Sequence, residues 1–323
     1  MKLTERELDR GRGAWLGQIV GDALGTTVEF RPASSIEREY PNGLREIVGG
    51  GPFRVLPGQV TDDTELALAL ARSIIEHGGY DADRVAYAYL AWYRSGPFDV
   101  GGTTSQAFGG AVEPGRAVAE QLTRRANRKS ESNGSLMRAS PLGIYGWRLP
   151  EIELADLAAT DSSLSHPAAA CVAACLVHTY AIAYAIRTGH KPIAVYEEAL
   201  DFARRSARPA VVVLEEAARG LPDDFYVQQG WVWKAFKNAF YELLDGPSFE
   251  ESLVRTVSRG GDTDTNACIA GALLGAVHGE QAIPERWRRT VLACRTPRGP
   301  TYQTTDAREI AVALLEMGDD VPR

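Results

Sequence analysis

Between Arg259 and Gly279 the chain sets a glycine pair directly before two carboxylates and two threonines, then continues into an apolar stretch of small residues. Few backbones accommodate that order. Ile269, Leu273 and Val277 recur at helical spacing, and the small residues between them predict a helix that can pack closely against a neighbour. Asp262 and Asp264 then fall at or just before its N-terminus. Residues two apart in a regular helix point to different sides. The two carboxylates therefore converge only if the chain bends, which Gly260 and Gly261 permit. The competing reading is local: one Asp caps the helix while the other stabilises its dipole.

Helical periodicity runs through the rest of the chain. Thr4 and Glu7 have the spacing of a capping box and predict a helix running toward Leu24. Further helices are expected over 66–75, 84–93 and 104–111, with another opening near Pro114. Beyond these, helices are expected at about 151–160, 168–187, 192–206, 209–219, 229–245, 248–258, 264–278, 284–294 and 306–317. Pro167, Pro192, Pro209 and Pro284 precede or open such segments, where proline is tolerated. Residues 31–60, rich in Pro, Gly and charge, read as a long irregular loop. No stretch alternates as a strand would, and no repeat or linker divides the chain. We therefore expect residues 1–323 to form one all-α domain, a single compact multi-helix bundle.

A length of 323 residues and a hydrophobic share of 45% sustain a large core. The net charge of -7 argues against general nucleic-acid binding, which wants a basic face. The basic run Arg124, Arg125, Arg128 and Lys129 reads as a solvated face. Four cysteines without a CxxC pair suit a reducing compartment, and the charged stretch Met1–Arg10 lacks the apolar core of a secretory signal, so a cytoplasmic location is expected. Ala168 to Ile186 carries no formally charged residue, but it is mostly alanine and reads as a buried core helix rather than a membrane span.

A second acidic cluster, Thr61-Asp62-Asp63-Thr64-Glu65, stands far from the first in sequence. Asp62 as N-cap with Glu65 closing a capping box would use two of its acids, and Asp63 is left over. Glu29, between Val28 and Phe30, is a further lone carboxylate. If Glu29, Asp62, Asp63, Asp262 and Asp264 converge, each like-charge pair at about 4 Å costs about 4 kcal/mol at an effective dielectric near 20. Several such pairs exceed the whole stability of a typical domain, about 5–15 kcal/mol. Convergence therefore requires a cation. Oxygen donors without thiolate or imidazole favour Mg²⁺, Mn²⁺ or Ca²⁺ over zinc, with Thr61 and Thr265 as added hydroxyl ligands. Two such turns can hold a pair of ions about 3.5–4 Å apart. Cys171, Cys175 and His178 share one helical face and form a rival metal candidate, against which stands the ordinary use of Cys as a small core residue.

Five ordered motifs carry a resemblance: Gly21-Asp22-Ala23-Leu24-Gly25 with Glu29, Thr61 to Glu65, Ser132 to Arg138, Ser165-His166-Pro167, and Gly260 to Thr265. Together they resemble the ADP-ribosylglycohydrolases, nearest the dinitrogenase reductase-activating branch, from about residue 11 to 279. The resemblance implies an all-α fold with two Mg²⁺ or Mn²⁺ ions in a cleft, held by Thr61, Asp62, Asp63, Asp262, Asp264 and Thr265. It implies that Glu29 is the acid beside the ions, that Asn133, Gly134, Ser135, Met137 and His166 surround ADP-ribose, and that Asp99 faces the acceptor guanidinium. That branch carries an asparagine where this chain has Gly102, which puts the acceptor contact in question. Either Glu29 or Asp63 would serve as acid or base.

The expected function is therefore removal of ADP-ribose from an ADP-ribosylated protein substrate, with arginine as the acceptor, by a monomer that binds no membrane. Two alternatives remain open: hydrolysis of another ADP-ribosyl linkage (serine, nucleic acid or a free ADP-ribose derivative), or a binding or immunity protein that counters a transferase.

Overall fold

The structure, a computed structural model, describes residues 3–221 and 224–318. The extremes of the 1–323 assignment, including Met1 and Lys2 of the charged N-terminal stretch, lie outside them. Sixteen helices account for the described fold. In chain order they are α1 (Glu5–Gly25), α2 (Ala33–Glu39), α3 (Asp62–His77), α4 (Ala82–Arg94), α5 (Gly102–Phe108), α6 (Val118–Arg125), α7 (Ser140–Tyr145) and α8 (Glu151–Ser163). They continue with α9 (Ala169–Thr188), α10 (Pro192–Ser206), α11 (Pro209–Ala217), α12 (Val232–Asp245), α13 (Phe249–Ser258), α14 (Thr263–His278), α15 (Glu285–Ala293) and α16 (Ala307–Met317).

The all-α expectation holds, and most predicted helices are present within a few residues. The capping box at Thr4 is made in both directions: Glu7 N donates to Thr4 Oγ1 at 3.3 Å and Thr4 N to Glu7 Oε2 at 2.7 Å. Three segments differ. The loop 31–60 contains α2, seven residues long and burying only Ile36, too little apolar periodicity to announce itself. The helix after Pro114 starts later, at Val118, following a turn. α7 rests on Pro141 at its start and is buried throughout, so its sequence carries no amphipathic stripe.

α1 and α14 form the axis of the bundle, running antiparallel in close contact. Gly13, Gly17 and Gly21 on α1 face Gly275, Gly271 and Ala267 on α14, and a Cβ on Gly17 would collide with the Gly271 carbonyl, as one on Gly271 would with that of Gly17. The backbones touch because side chains are missing between them. α9 lies against both helices. It is long and apolar enough to cross a membrane by length and composition, but 78% of that stretch is buried inside the fold, as expected for a core helix. α12 and α13 cover α14, and α15 and α16 cover α1.

A two-residue pairing joins Arg31–Pro32 (β1) to Gly260–Gly261 (β2), antiparallel, with Arg31 opposite Gly261. Phe30 N donates to Gly261 O at 2.8 Å. Both glycines are left-handed, at φ 73° and 77°, and make the bend the sequence permits. The acid at position 29 is thereby fastened to the turn that carries Asp262.

Gly17→Ala should lower stability by about 1–3 kcal/mol, the cost of overpacking a close contact. Chemical denaturation of the purified variant, with an unchanged slope, checks it.

Candidate metal and substrate site

At the end of the bundle where α1 finishes and α14 begins, α3 also begins. The link is Asp22, near the C-terminus of α1. Its carboxylate accepts hydrogen bonds from Thr61 N, Thr61 Oγ1 and Thr64 N at 3.1–3.2 Å. A cap for α3 is thus supplied from another helix, and Asp62, already the first helical residue, is not the N-cap that the local reading expected. Glu65 closes no capping box either; it accepts from Trp92 Nε1 at 2.7 Å and from Arg298. At the second turn Asp262 stands in the N-cap position without the cap hydrogen bond to its own helix, and accepts from Asn133 Nδ2 at 2.7 Å. Neither turn uses its own N-cap residue as a side-chain cap, although Asp264 Oδ1 accepts from the adjacent Thr265 N at 2.9 Å.

The acids of both turns meet. A cavity of about 340 Å³ is lined by Glu29, Asp62, Asp63, Asp99, Asp262, Asp264 and Thr265, and on its other side by Asn133, Gly134, Met137 and His166. Carboxylate oxygens of Glu29, Asp262 and Asp264 lie within 4.8 Å of one another. Asp63 Oδ2 accepts from the hydroxyls of Thr61 at 3.2 Å and Thr265 at 3.4 Å. Two predicted site residues stand behind this wall. Thr61 is fully buried on Asp22 and Asp63, and Ser135 is fully buried with its hydroxyl engaged by Ser162 at 2.9 Å, so neither lines the cavity.

Among the described residues lining the cavity, acids are concentrated and no Lys or Arg faces them. Burial, then neighbouring acids, raises Asp62, Asp63 and Asp264 well above the usual carboxylate range. Glu29 is pushed up to about 9 by burial and by the charges of Asp262 and Asp99. Asp99 rises to about 6, chiefly through burial, and is in hydrogen-bonding contact with Asp62. Among the described residues, no N–H or O–H donor reaches the buried atoms Asp63 Oδ1 and Glu29 Oε2. Orphaned carboxylate oxygens in an all-oxygen cluster fit a hard divalent ion. The site can therefore bind metal.

The opposite wall is rigid and neutral. His166 Nδ1 bonds Ser165 Oγ at 2.8 Å and Nε2 bonds Ser132 Oγ at 2.9 Å. Burial and the nearby Arg138 push its pKa down to about 3, so it is a neutral strut. It does not cap α9, whose N-cap is Ala168. Arg138, itself fully buried, holds this wall together by donating to Asp161 Oδ2 at 3.2 Å, Ser165 Oγ at 2.8 Å and the Gly134 carbonyl at 3.4 Å. The rival cluster does not form: Cys171, Cys175 and His178 hydrogen-bond separately to Ser132 O, Ser135 Oγ and Ile269 O, and burial raises both thiols.

A family model described as ADP-ribosylglycohydrolase matches residues 3–320. The chain belongs to the ADP-ribosylglycohydrolase family. The ADP-ribosylarginine hydrolase Tri1 of Pseudomonas putida is 31% identical over 291 residues, 88% of this chain and 74% of that protein. The ADP-ribosyl-dinitrogen reductase glycohydrolase of Rhodospirillum rubrum is 32% identical over 289 residues, 86% of this chain and 89% of that one. A solved structure titled ADP-ribosylglycohydrolase-related protein complex superposes with a TM-score of 0.81 at 31% identity, over 98% of this chain and 100% of the other. The resemblance drawn from the motifs is borne out, and the chain is an enzyme of this family.

Some residues of this glycohydrolase site had no assigned role in the sequence reading. Asp22 was within reach, as the one acid in a buried, glycine-punctuated helix end. Gln229 and Gly230, which also line the cavity, sit in a loop with no local signal.

The ion-free enzyme should lose stability as pH rises from about 5 to 9. The raised carboxyls stay protonated when folded but have already ionised in the unfolded chain, so the folded state binds more protons across this window and stability falls with pH. A divalent ion replaces those protons, so Mn²⁺ should raise the melting temperature more at pH 8 than at pH 5.5. Scanning calorimetry with chelator or Mn²⁺ decides; an equal rise at both pH values contradicts the ion site.

Proposed function

We propose that this enzyme hydrolyses the N-glycosidic bond between ADP-ribose and an arginine side chain of a modified protein, with two Mg²⁺ or Mn²⁺ ions at the acidic floor. The observation that carries the reading is the meeting of Asp62 and Asp63 with Asp262 and Asp264 in one cavity, supported by the arginine-linked activity in the name of the Pseudomonas putida relative. We further propose that residues 1–323 act as one domain and that Asp62, Asp63, Asp262, Asp264 and Thr265 hold the ions, while Thr61, buried behind the cavity wall, supports Asp63 through its hydroxyl. When bound, the ions supply positive charge that lets the acids ionise together and a Lewis-acid contact for the ribose hydroxyls.

The chain's own groups do the rest. Asn133, Gly134, Met137 and His166 form a wall that a nucleotide sugar can lie against. A wider recess lined by Tyr226 and Trp231 shares Ser132, Gln229 and Gly230 with the cavity and leaves room for the adenosine end. In hydrolysis a water oxygen bonds to the anomeric carbon as that carbon's bond to the guanidinium nitrogen breaks, with the electron pair going to nitrogen. The proton lost by the water then passes to the departing guanidine, and the positive charge spread over the sugar ring in the transition state is favoured by the acidic floor. Of the two candidate acids, Asp63 is engaged by two threonine hydroxyls, whereas Glu29 Oε2 meets no donor. We therefore assign Glu29 as the group that takes the water's proton and Asp99 as the partner of the acceptor guanidinium through paired charge-assisted hydrogen bonds.

A second reading, hydrolysis of another ADP-ribosyl linkage, draws on Gly102. It lines the cavity, and a Cβ there would meet nothing within 4 Å, so the acceptor side has room for other groups.

With ADP-ribosylarginine protein as substrate, ADP-ribose should be released in Mn²⁺ or Mg²⁺ and release should stop on chelation. Glu29→Gln should lower kcat by about 10²- to 10⁴-fold while ADP-ribose binding persists. Asp264→Ala should abolish ion binding by calorimetry. Full activity after complete metal removal, or normal ion affinity in Asp264→Ala, would contradict the proposal.

A further inference from the structure

Arg298 lies between α15 and α16, 233 residues from Glu65 in sequence, and does not line the cavity. Yet all of its donors are used, and every one goes to one of two places. Nε donates to Glu65 Oε1 at 3.0 Å and Oε2 at 3.2 Å, and Nη2 to Glu65 Oε2 at 3.0 Å. Nη1 donates to the carbonyls of Ser95 at 3.1 Å and Gly96 at 3.3 Å, and Nη2 to Ser95 Oγ at 2.7 Å. Its guanidinium also lies 4.9 Å from the centre of the Tyr302 ring. A planar fork spent in this way fixes two segments relative to each other, a geometry a lysine cannot reproduce.

The two segments are the ones that carry Asp62 and Asp99. Glu65 is one turn along α3 from Asp62, on the same side of the helix. Ser95 and Gly96 open the loop that leads to Asp99. Among the described residues, Pro97, Phe98, Asp99 and Val100 make no backbone–backbone hydrogen bond. The loop is held at its far end by α5 and at its near end by Arg298, with the rings of Phe98 and Phe53 in contact at 5.5 Å between centroids.

We propose that Arg298 is a positioning residue that, through the clamp on Glu65 and the 95–96 carbonyls, sets where Asp99 stands and so tunes recognition of the acceptor group. This rests on Asp99 facing the acceptor, as proposed above. Asp62 is held by α3 itself, whereas the 95–101 loop depends on the clamp, so the effect falls on Asp99 and on binding of the leaving group.

Removing Arg298 alone strands a buried carboxylate, so the test uses the charge-neutral pair Glu65→Gln/Arg298→Met, with Arg298→Lys as the milder variant that keeps the ion pair and loses the fork. In the full-length paired variant, hydrogen exchange at residues 95–101 should speed up by about tenfold. KM for ADP-ribosylarginine should rise by about tenfold with kcat within twofold. Arg298→Lys should fall between the paired variant and wild type on both measures. On an Asp99→Asn background the same pair should add nothing further to KM. Unchanged exchange in the loop, a fall in kcat matching the rise in KM, or an equal further loss on the Asp99→Asn background would overturn the proposal. If the wild-type enzyme cleaves another linkage but not ADP-ribosylarginine, the arginine reading falls, and the exchange measurement still decides whether the clamp exists.

Discussion

Backbone contact between α1 and α14 is the constraint on which the rest of the structure depends. With Gly13, Gly17 and Gly21 facing Gly275, Gly271 and Ala267, the two helices approach as closely as main chains allow. Their register is fixed by that contact: the C-terminus of one lies beside the N-terminus of the other, and Thr263 Oγ1 donates to Gly25 O at 2.7 Å. The acidic turns gather at this end. Asp22 projects from α1 to receive the start of α3, β1 pairs with β2, and the acids from positions 29, 62, 63, 262 and 264 are left facing one cavity.

Capping and catalysis compete for the same residues at a helix start, and here the competition is resolved by geometry. Asp22 takes over the cap of α3, Asn133 takes one oxygen of Asp262, and the remaining acids are buried without enough donors to satisfy them. Glu29, Asp63 and Asp264 are no more than 4% exposed. A cluster of this kind lowers the stability of the ion-free fold, the trade expected of a functional site. The facing wall is built in the opposite way, with Arg138, Asp161, His166, Ser132 and Ser165 satisfying one another, which makes it a fixed template.

Much of this was legible in the residues. The helical periods, the capping box at Thr4 and the glycine bend at 260–261 are local, and local signals survive into the fold. The charge argument reached only the condition that the two acidic turns could meet if a cation joined them; their meeting was implied by the ordered motifs. What escaped depends on contacts between distant segments. Asp62 and Glu65 have the spacing of a capping box, but Asp22 and Arg298, remote in sequence, take both roles away. The buried α7 and the nearly featureless α2 show no amphipathic stripe. Ser135 belongs to the right loop but turns into the core, where Ser162, distant in sequence, donates to its hydroxyl.

The claim that acids from opposite ends of the chain share divalent ions is tested most directly by anomalous diffraction from crystals grown with Mn²⁺. Manganese peaks bounded by Asp62, Asp63, Asp262 and Asp264 are the predicted result. Peaks elsewhere, or acids that remain hydrogen-bonded to one another in saturating Mn²⁺, would contradict it.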